Sequence, residues 1–314
     1  MDDEGLHART LWVGTIWTDW TVRVTRHARH ADSRLSPRGA RHIPVIETIF
    51  GLFAFSMGAS VGSFLNVVAD RLPAGQSIVS PRSHCQGCGR PIPVRDLVPV
   101  LSYLWLRSRC RHCRERIPAR VIAVETVTGA LFAAVYLKLG WGSPAIVTVA
   151  GIALLMSIAV VDLEHRLIPN RIVVPAVAVL AVLAPFWPEL GIERALVFEQ
   201  VHLSSLANSL AAGAGALLVF LAVKAVYLAG MGAGDVKLAG MLGLLVGYPG
   251  IVVALWLAVV LGGIVAVGLL ALGGRSRKDA MPFGPFLSAG GVIALLAGVE
   301  IMEFYFAVTD RLIG

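Results

Sequence analysis

The chain has 314 residues, of which 56% are hydrophobic and only 15% charged, with a mean hydropathy of +0.75 and a formal net charge of +7. A soluble domain carries roughly 25% charged residues, so this balance excludes an ordinary soluble enzyme and points to a membrane protein. The positive charge reads first as a topology signal and second as attraction to anionic lipid headgroups; it gives no reason to expect a nucleic-acid partner.

Residues 1–44 are polar and arginine-bearing, with Arg23, Arg26, Arg29, Arg34, Arg38 and Arg41 and one apolar patch, Leu11 to Trp17, too short to span. No small-residue cleavage site follows a proper apolar region, so the segment is not a signal peptide. It is expected to be a disordered polar extension, or a stretch upstream of the true start. A surface-binding amphipathic segment is the alternative.

A bilayer core needs ~20 apolar residues in a helix. Windows of about that size without charge lie at 48–69, 139–161, 172–188, 203–223 and 281–299, and 121–137 joins them if Glu125 is tolerated. The stretch 238–274 is too long for one crossing, and Tyr248-Pro249-Gly250 divides it into a short and a full one. The pattern predicts an all-α polytopic membrane protein of about eight transmembrane helices. The first helix occupies 45–69, a cytoplasmic loop 70–120, and the remaining membrane domain 121–314.

Arginine fixes the orientation. Between Asp70 and Arg120 stand Arg71, Arg82, Arg90, Arg95, Arg107, Arg109, Arg111, Arg114, Arg116 and Arg120, against Asp70, Asp96 and Glu115. Such an excess beside a span marks the cytoplasmic side. Alternation then puts the 162–171 turn, the 230–235 turn and Arg275-Ser276-Arg277-Lys278 on that side too. The opposite loops at 140–144, 189–202 and 248–250 contain one arginine, Arg194.

All four cysteines fall in the cytoplasmic loop, as Cys85-Gln86-Gly87-Cys88 and Cys110-Arg111-His112-Cys113. Paired C-x-x-C knuckles have the ligand spacing of a tetrahedral zinc site. The loop is too poor in apolar residues to build its own core, and a metal supplies the missing folding energy. Two disulfides or four free thiols are the other readings; disulfides are disfavoured in a reducing cytosol. Four sulfurs leave no open coordination position, so the expected zinc is structural, and His84 and His112 are left out of the ligand set.

Two acids stand where long apolar stretches meet polar turns: Asp162, in Val161-Asp162-Leu163-Glu164-His165-Arg166-Leu167-Ile168-Pro169-Asn170, and Asp235, in Gly232-Ala233-Gly234-Asp235-Val236-Lys237-Leu238. Carboxylates near hydrocarbon mark function by default. Two on the same membrane face can share a proton and activate a water, as in an aspartic protease. Asp235 near a helix N-terminus is nominated as the anion of the pair. Glu125, an acid inside a span, is expected to pair with an arginine such as Arg120, with a direct chemical role as the alternative. Lys237 reads as snorkelling to the headgroups, with tuning of the acid pair or substrate binding as the alternative.

These motifs resemble the type IV prepilin peptidases, bacterial membrane enzymes that remove the leader from prepilins and pseudopilins. The likeness runs in order from Gly62-Ser63-Phe64-Leu65-Asn66-Val67-Val68 and Arg71-Leu72-Pro73, through both knuckles with Asp96-Leu97-Val98-Pro99-Val100-Leu101-Ser102-Tyr103-Leu104 between them, to Asp162 with Ile168-Pro169-Asn170. Gly232-Ala233-Gly234-Asp235-Val236-Lys237-Leu238 and Pro282-Phe283-Gly284-Pro285-Phe286-Leu287 complete the series. Asn170 stands where the family often has Asp, while the family's first catalytic Asp matches Asp162. The resemblance implies leader cleavage at the cytoplasmic face of the bacterial inner membrane, with Asp162 and Asp235 as catalytic residues and prepilins or pseudopilins as substrates. It also implies N-methylation of the new N-terminus from S-adenosylmethionine, although no glycine-rich nucleotide loop is present. Two readings compete. One is a proton- or cation-coupled transporter with intramembrane Asp residues and a discontinuous helix at 230–235; the other is a zinc-scaffolded assembly protein without chemistry.

Overall fold

The computed structural model of the chain describes residues 44–192, 194, 200–226, 231–272 and 281–313. The expectation for the polar arm therefore lies outside the described residues. Two compact units divide at Glu47–Thr48: only the opening turn of the first helix is described in the smaller one, and the larger one, Thr48–Gly314, contains the bundle.

The described residues are helical, with no strand among them. The helices are α1 (Pro44–Arg71), α2 (Leu101–Trp105), α3 (Ala119–Leu139), α4 (Ser143–His165), α5 (Asn170–Leu183), α6 (Val201–Val226), α7 (Ala233–Val246), α8 (Gly250–Ala271) and α9 (Gly284–Ile313). Short 3-10 turns stand at Val94–Asp96 and, continuing α5, at Ala184–Phe186. Among the described residues, six helices are long and apolar enough to cross a membrane: α1, α3, α4, α6, α8 and α9.

The predicted count of eight crossings is not reached by length. Both α5 and α7 have 14 residues, which at 1.5 Å per residue is roughly 21 Å against a hydrocarbon core of about 30 Å. The short one after Asp235 stops because Gly247 turns to φ 71° and Pro249 follows. The last helix differs in the other direction. It runs past the predicted end at 299 to Ile313, with a break at Ala297 (φ −139°, ψ 15°). Lys138 of α3 donates to the Leu296 carbonyl that this break frees, and pairs with Glu300.

Small residues let the backbones approach, as membrane bundles require where apolar burial drives little association. A Cβ on Gly58 would lie 2.6 Å from the Thr128 carbonyl oxygen and one on Gly62 2.9 Å from that of Val124, so α1 and α3 meet backbone to backbone. Gly243 of α7 meets Ala212 of α6, and Gly290 of α9 meets Ala254 of α8, in the same way. The core centres on α7, whose Leu238, Ala239, Met241 and Leu242 are fully buried.

Candidate active site and candidate metal centre

The C-terminal end of α4 and the N-terminal end of α7 bring Asp162 and Asp235 to the same end of the bundle, close enough to act on each other electrostatically. Asp162 is 4% exposed. Its Oδ2 accepts the main-chain N–H of Gly284, the first residue of α9, at 3.1 Å. A Cβ at Gly284 would stand 2.6 Å from that oxygen, so only glycine brings the amide to the carboxylate. Asp235 is half-buried at the third position of α7, and its Oδ2 accepts the N–H of Gly232 at 3.1 Å. This is the reciprocal half of a capping box. Ile168 lies between the two motifs: a Cβ on Gly234 would meet it at 2.8 Å, and one on Gly284 would meet its Cδ1 at 3.3 Å. Lys224, in the last turn of α6, is within electrostatic reach of Asp235. Lys237 donates to Asn170 Oδ1 at 3.0 Å, tying α7 to the start of α5. The contact of the Pro282–Pro285 segment with Asp162 emerges only from the fold.

Around this end, polar side chains bind α1, α3 and α4. Arg120 pairs with Asp70 at 2.6 Å and with Glu164 at 3.6 Å. His165 Nε2 meets the Ala69 carbonyl at 2.9 Å, and Asn66 Nδ2 donates to the Val121 carbonyl at 3.3 Å. Glu125 corrects an expectation. It is 4% exposed and accepts the main-chain N–H of Val100 at 2.7 Å rather than pairing with Arg120. Val100 has φ 62° and ψ −53° with Leu101 N–H bonded to Pro99 O, the rare strained form of γ-turn. A carboxylate from the membrane domain thus anchors a strained turn of the loop between α1 and α3.

The four cysteines converge. Their sulfurs all lie within 4.8 Å of one another, with Cys85 and Cys113 3.6 Å apart, and all four are free thiols. A tetrahedron of 2.3 Å zinc–sulfur bonds separates its sulfurs by roughly 3.8 Å, so the donor set and the spacing both fit a metal ion. Neither His84 nor His112 belongs to the cluster. His112 Nδ1 instead faces Arg90 at 3.3 Å, across the two knuckles.

The two knuckles repeat one design that the sequence reading overlooked. Cys85 N–H bonds Arg90 O and Gly89 N–H bonds Cys85 O; Cys110 N–H bonds Glu115 O and Arg114 N–H bonds Cys110 O. Gly89 and Arg114 share the left-handed conformation, φ 67° and 63°. The bridges His84–Pro91 and Arg109–Arg116 close both loops. The signal was in the chain: Arg82, Ser83, Cys85, Cys88, Ile92 and Pro93 recur as Arg107, Ser108, Cys110, Cys113, Ile117 and Pro118. The amides of Cys113 and His112 aim at the Cys110 sulfur and pull that thiol down to about 7, toward the thiolate a metal needs. Arg111 grips the buried Asp96 with two bonds, at 2.8 and 2.5 Å, joining the second knuckle to the linker between them.

Comparison with known proteins adds to this geometry. A profile described as "Bacterial Peptidase A24 N-terminal domain" matches residues 56–139, and one described as "Type IV leader peptidase family" matches residues 149–267. The prepilin leader peptidase/N-methyltransferase of Bacillus subtilis (strain 168) is 31% identical over 254 residues, covering 80% of this chain and 96% of its own. Its namesake from Aeromonas hydrophila is 32% identical over 288 residues, 81% and 92% of the two chains. That of Burkholderia pseudomallei (strain 1026b) is 33% identical over 277 residues, 78% and 85%. No solved structure gives a significant match.

Proposed function

This chain belongs to the type IV leader peptidase family, and from that premise we propose that it is an intramembrane aspartic endopeptidase that removes the basic leader of type IV prepilins or pseudopilins, with Asp162 and Asp235 as its catalytic pair. The observation that carries the reading is the convergence of two acids, from helices far apart in sequence, at one end of the bundle. Peptide hydrolysis by two carboxylates needs one ionised and one protonated. The ionised one takes a proton from the attacking water, and the protonated one donates to the scissile carbonyl oxygen. The amide of Gly284 holds Asp162 in a set orientation for this exchange.

The arginine-rich loop supports a cytoplasmic location for this end and an inner-membrane location for the protein. The leader then stays in water while the substrate's apolar segment lies among the spans, so the bond to be cut falls at the interface beside the pair. A structural zinc held by Cys85, Cys88, Cys110 and Cys113 would supply folding energy to the loop and no chemistry. The relatives are named as N-methyltransferases as well as peptidases; the same second activity here would draw its methyl group from S-adenosylmethionine. The transporter reading is not favoured, because both acids stand at one edge of the bundle and the family is one of peptidases.

The test is co-expression with prepilin-like proteins of the same genome, followed by mass spectrometry of their mature N-termini. The proposal expects a cut between the basic leader and the apolar segment, lost in Asp162→Asn and Asp235→Asn. Full-length substrate beside a well-inserted wild-type protein rules the activity out. A methyl group on the new N-terminus reports the second activity in the same spectrum.

A further inference from the structure

A 14-residue helix that starts at the cytoplasmic face ends roughly 9 Å short of the far edge of a ~30 Å core, so the C-terminal carbonyls of α7 finish inside the membrane thickness. Carbonyls left unpaired there are costly, because hydrocarbon offers them no donor. The chain closes this end with Arg194, from the segment between α5 and α6. The residue is 6% exposed, and its guanidinium donates to the Leu244 carbonyl at 2.8 Å, to the Leu245 carbonyl and to Ser209 Oγ at 2.8 Å, and lies 4.2 Å over the Trp187 ring. Beside it, Asn208 of α6 grips the following turn by both main-chain groups of Tyr248, accepting its N–H at 2.8 Å and donating to its carbonyl at 3.0 Å. Gly247 between them has φ 71°, and a Cβ there would come within 2.9 Å of Asn208 Oδ1 and 3.1 Å of the arginine. A cation at a helix C-terminus also complements the helix dipole.

We infer that Arg194, seconded by Asn208, is a positioning residue that sets the depth of α7 and thereby the height of Asp235 beside Asp162, from the opposite side of the membrane. A helix is stiff along its axis, so fixing the Leu244 and Leu245 carbonyls fixes Asp235, which lies on the same rod roughly 15 Å away at 1.5 Å per residue. The arginine's contacts are with Ser209, Trp187 and the end of α7, not with either acid, so its effect on them passes through α7. The inference rests on the proposed role of Asp235.

The experiment is steady-state leader cleavage by purified full-length protein in liposomes, comparing Arg194→Gln, Arg194→Lys, Asn208→Ala and Asp235→Asn with wild type at equal amounts of folded protein. Arg194→Gln should lower kcat about 10²-fold, the effect of a misplacement near 1 Å, with KM within about twofold because the substrate's binding surface is untouched. Arg194→Lys, which keeps a cation on the carbonyls, should recover roughly tenfold of that loss. Should Arg194→Gln not accumulate, Asn208→Ala carries the same test, with a fall in kcat at constant KM. A wild-type kcat in the folded fraction of Arg194→Gln or Asn208→Ala, whatever the yield, overturns the inference and leaves a purely structural role. Asp235→Asn separates the two levels: if it cleaves near the wild-type rate, the catalytic reading itself has failed, whereas an inactive Asp235→Asn beside a normal Arg194→Gln removes only the positioning role.

Discussion

Asp162 and Asp235 are each hydrogen-bonded by a main-chain amide, Gly284 N–H and Gly232 N–H. Such a donor orients one carboxylate oxygen without a full counter-charge and leaves the other oxygen for water or substrate. On the proposed mechanism, Asp→Asn at either position keeps the shape but removes the shared proton, so each single variant should lose cleavage entirely while still inserting. The double variant should be no worse than either, because residues acting as a unit are not additive; activity near wild type in a single Asn variant would sink the dyad. Gly284→Ala probes the same contact from the other side. Its methyl group would have to displace Asp162 Oδ2 from 2.6 Å, and cleavage should fall by roughly 10- to 100-fold at unchanged membrane levels, measured with the same substrate.

At the scale of elements, the loop is held in three ways: by the sulfur cluster, by Asp96–Arg111 and by Glu125 on the strained turn at Val100. Replacing any one cysteine by serine should lower protein yield before it alters chemistry, since a structural zinc contributes ~10 kcal/mol or more to folding. Elemental analysis finding well under half an equivalent of zinc in folded protein would refute the metal. Glu125→Ala strips the acceptor from the Val100 amide and should destabilise the loop by about 1–3 kcal/mol, seen as faster proteolysis between α1 and α3, while Glu125→Gln retains an acceptor and most of the resistance. Arg111 holds the Asp96 carboxyl below the usual carboxylate range through its hydrogen bonds. A lowered native value stabilises the fold at pH above the ordinary carboxylate value of about 3.9, and this contribution is lost as pH falls through the native value. The gap in proteolytic resistance between wild type and Asp96→Asn should therefore stay constant from neutral pH down to about 4 and close below it; a gap that persists in stronger acid contradicts the pairing.

Across the whole molecule, legibility followed contrast. Asp162, Asp235 and the cysteines stood out because acids at the ends of apolar runs and paired C-x-x-C spacings are rare by composition. The partner of Glu125 did not, because it is a backbone amide on a turn whose positive φ falls on a valine, a residue that gives no warning of it. Arg194 was visible only as the single arginine of a loop; that it turns inward follows from the shortness of α7, and hydropathy windows blur helix length. The break at Ala297 was hidden for a related reason: apolar composition continues through it, and it shows only in the backbone angles there and in Lys138 bonding the Leu296 carbonyl. The family profiles match from residue 56 onward, so a chain beginning at Ile43 should insert and cleave as the full chain does. Loss of cleavage at normal membrane levels would assign residues 1–42 a task.

The duplicated knuckles also impose an order of assembly. The first hangs from the end of α1 and the second leads directly into α3, so the sulfur cluster straddles the two strands of chain that enter and leave the bilayer. During synthesis the nest is half built until Cys113 has left the ribosome, and by then α1 is already made. An ion held by all four sulfurs would therefore close the loop only after α1 is made and just ahead of α3, pinning the chain between the two helices whose backbones meet at Gly58 and Gly62.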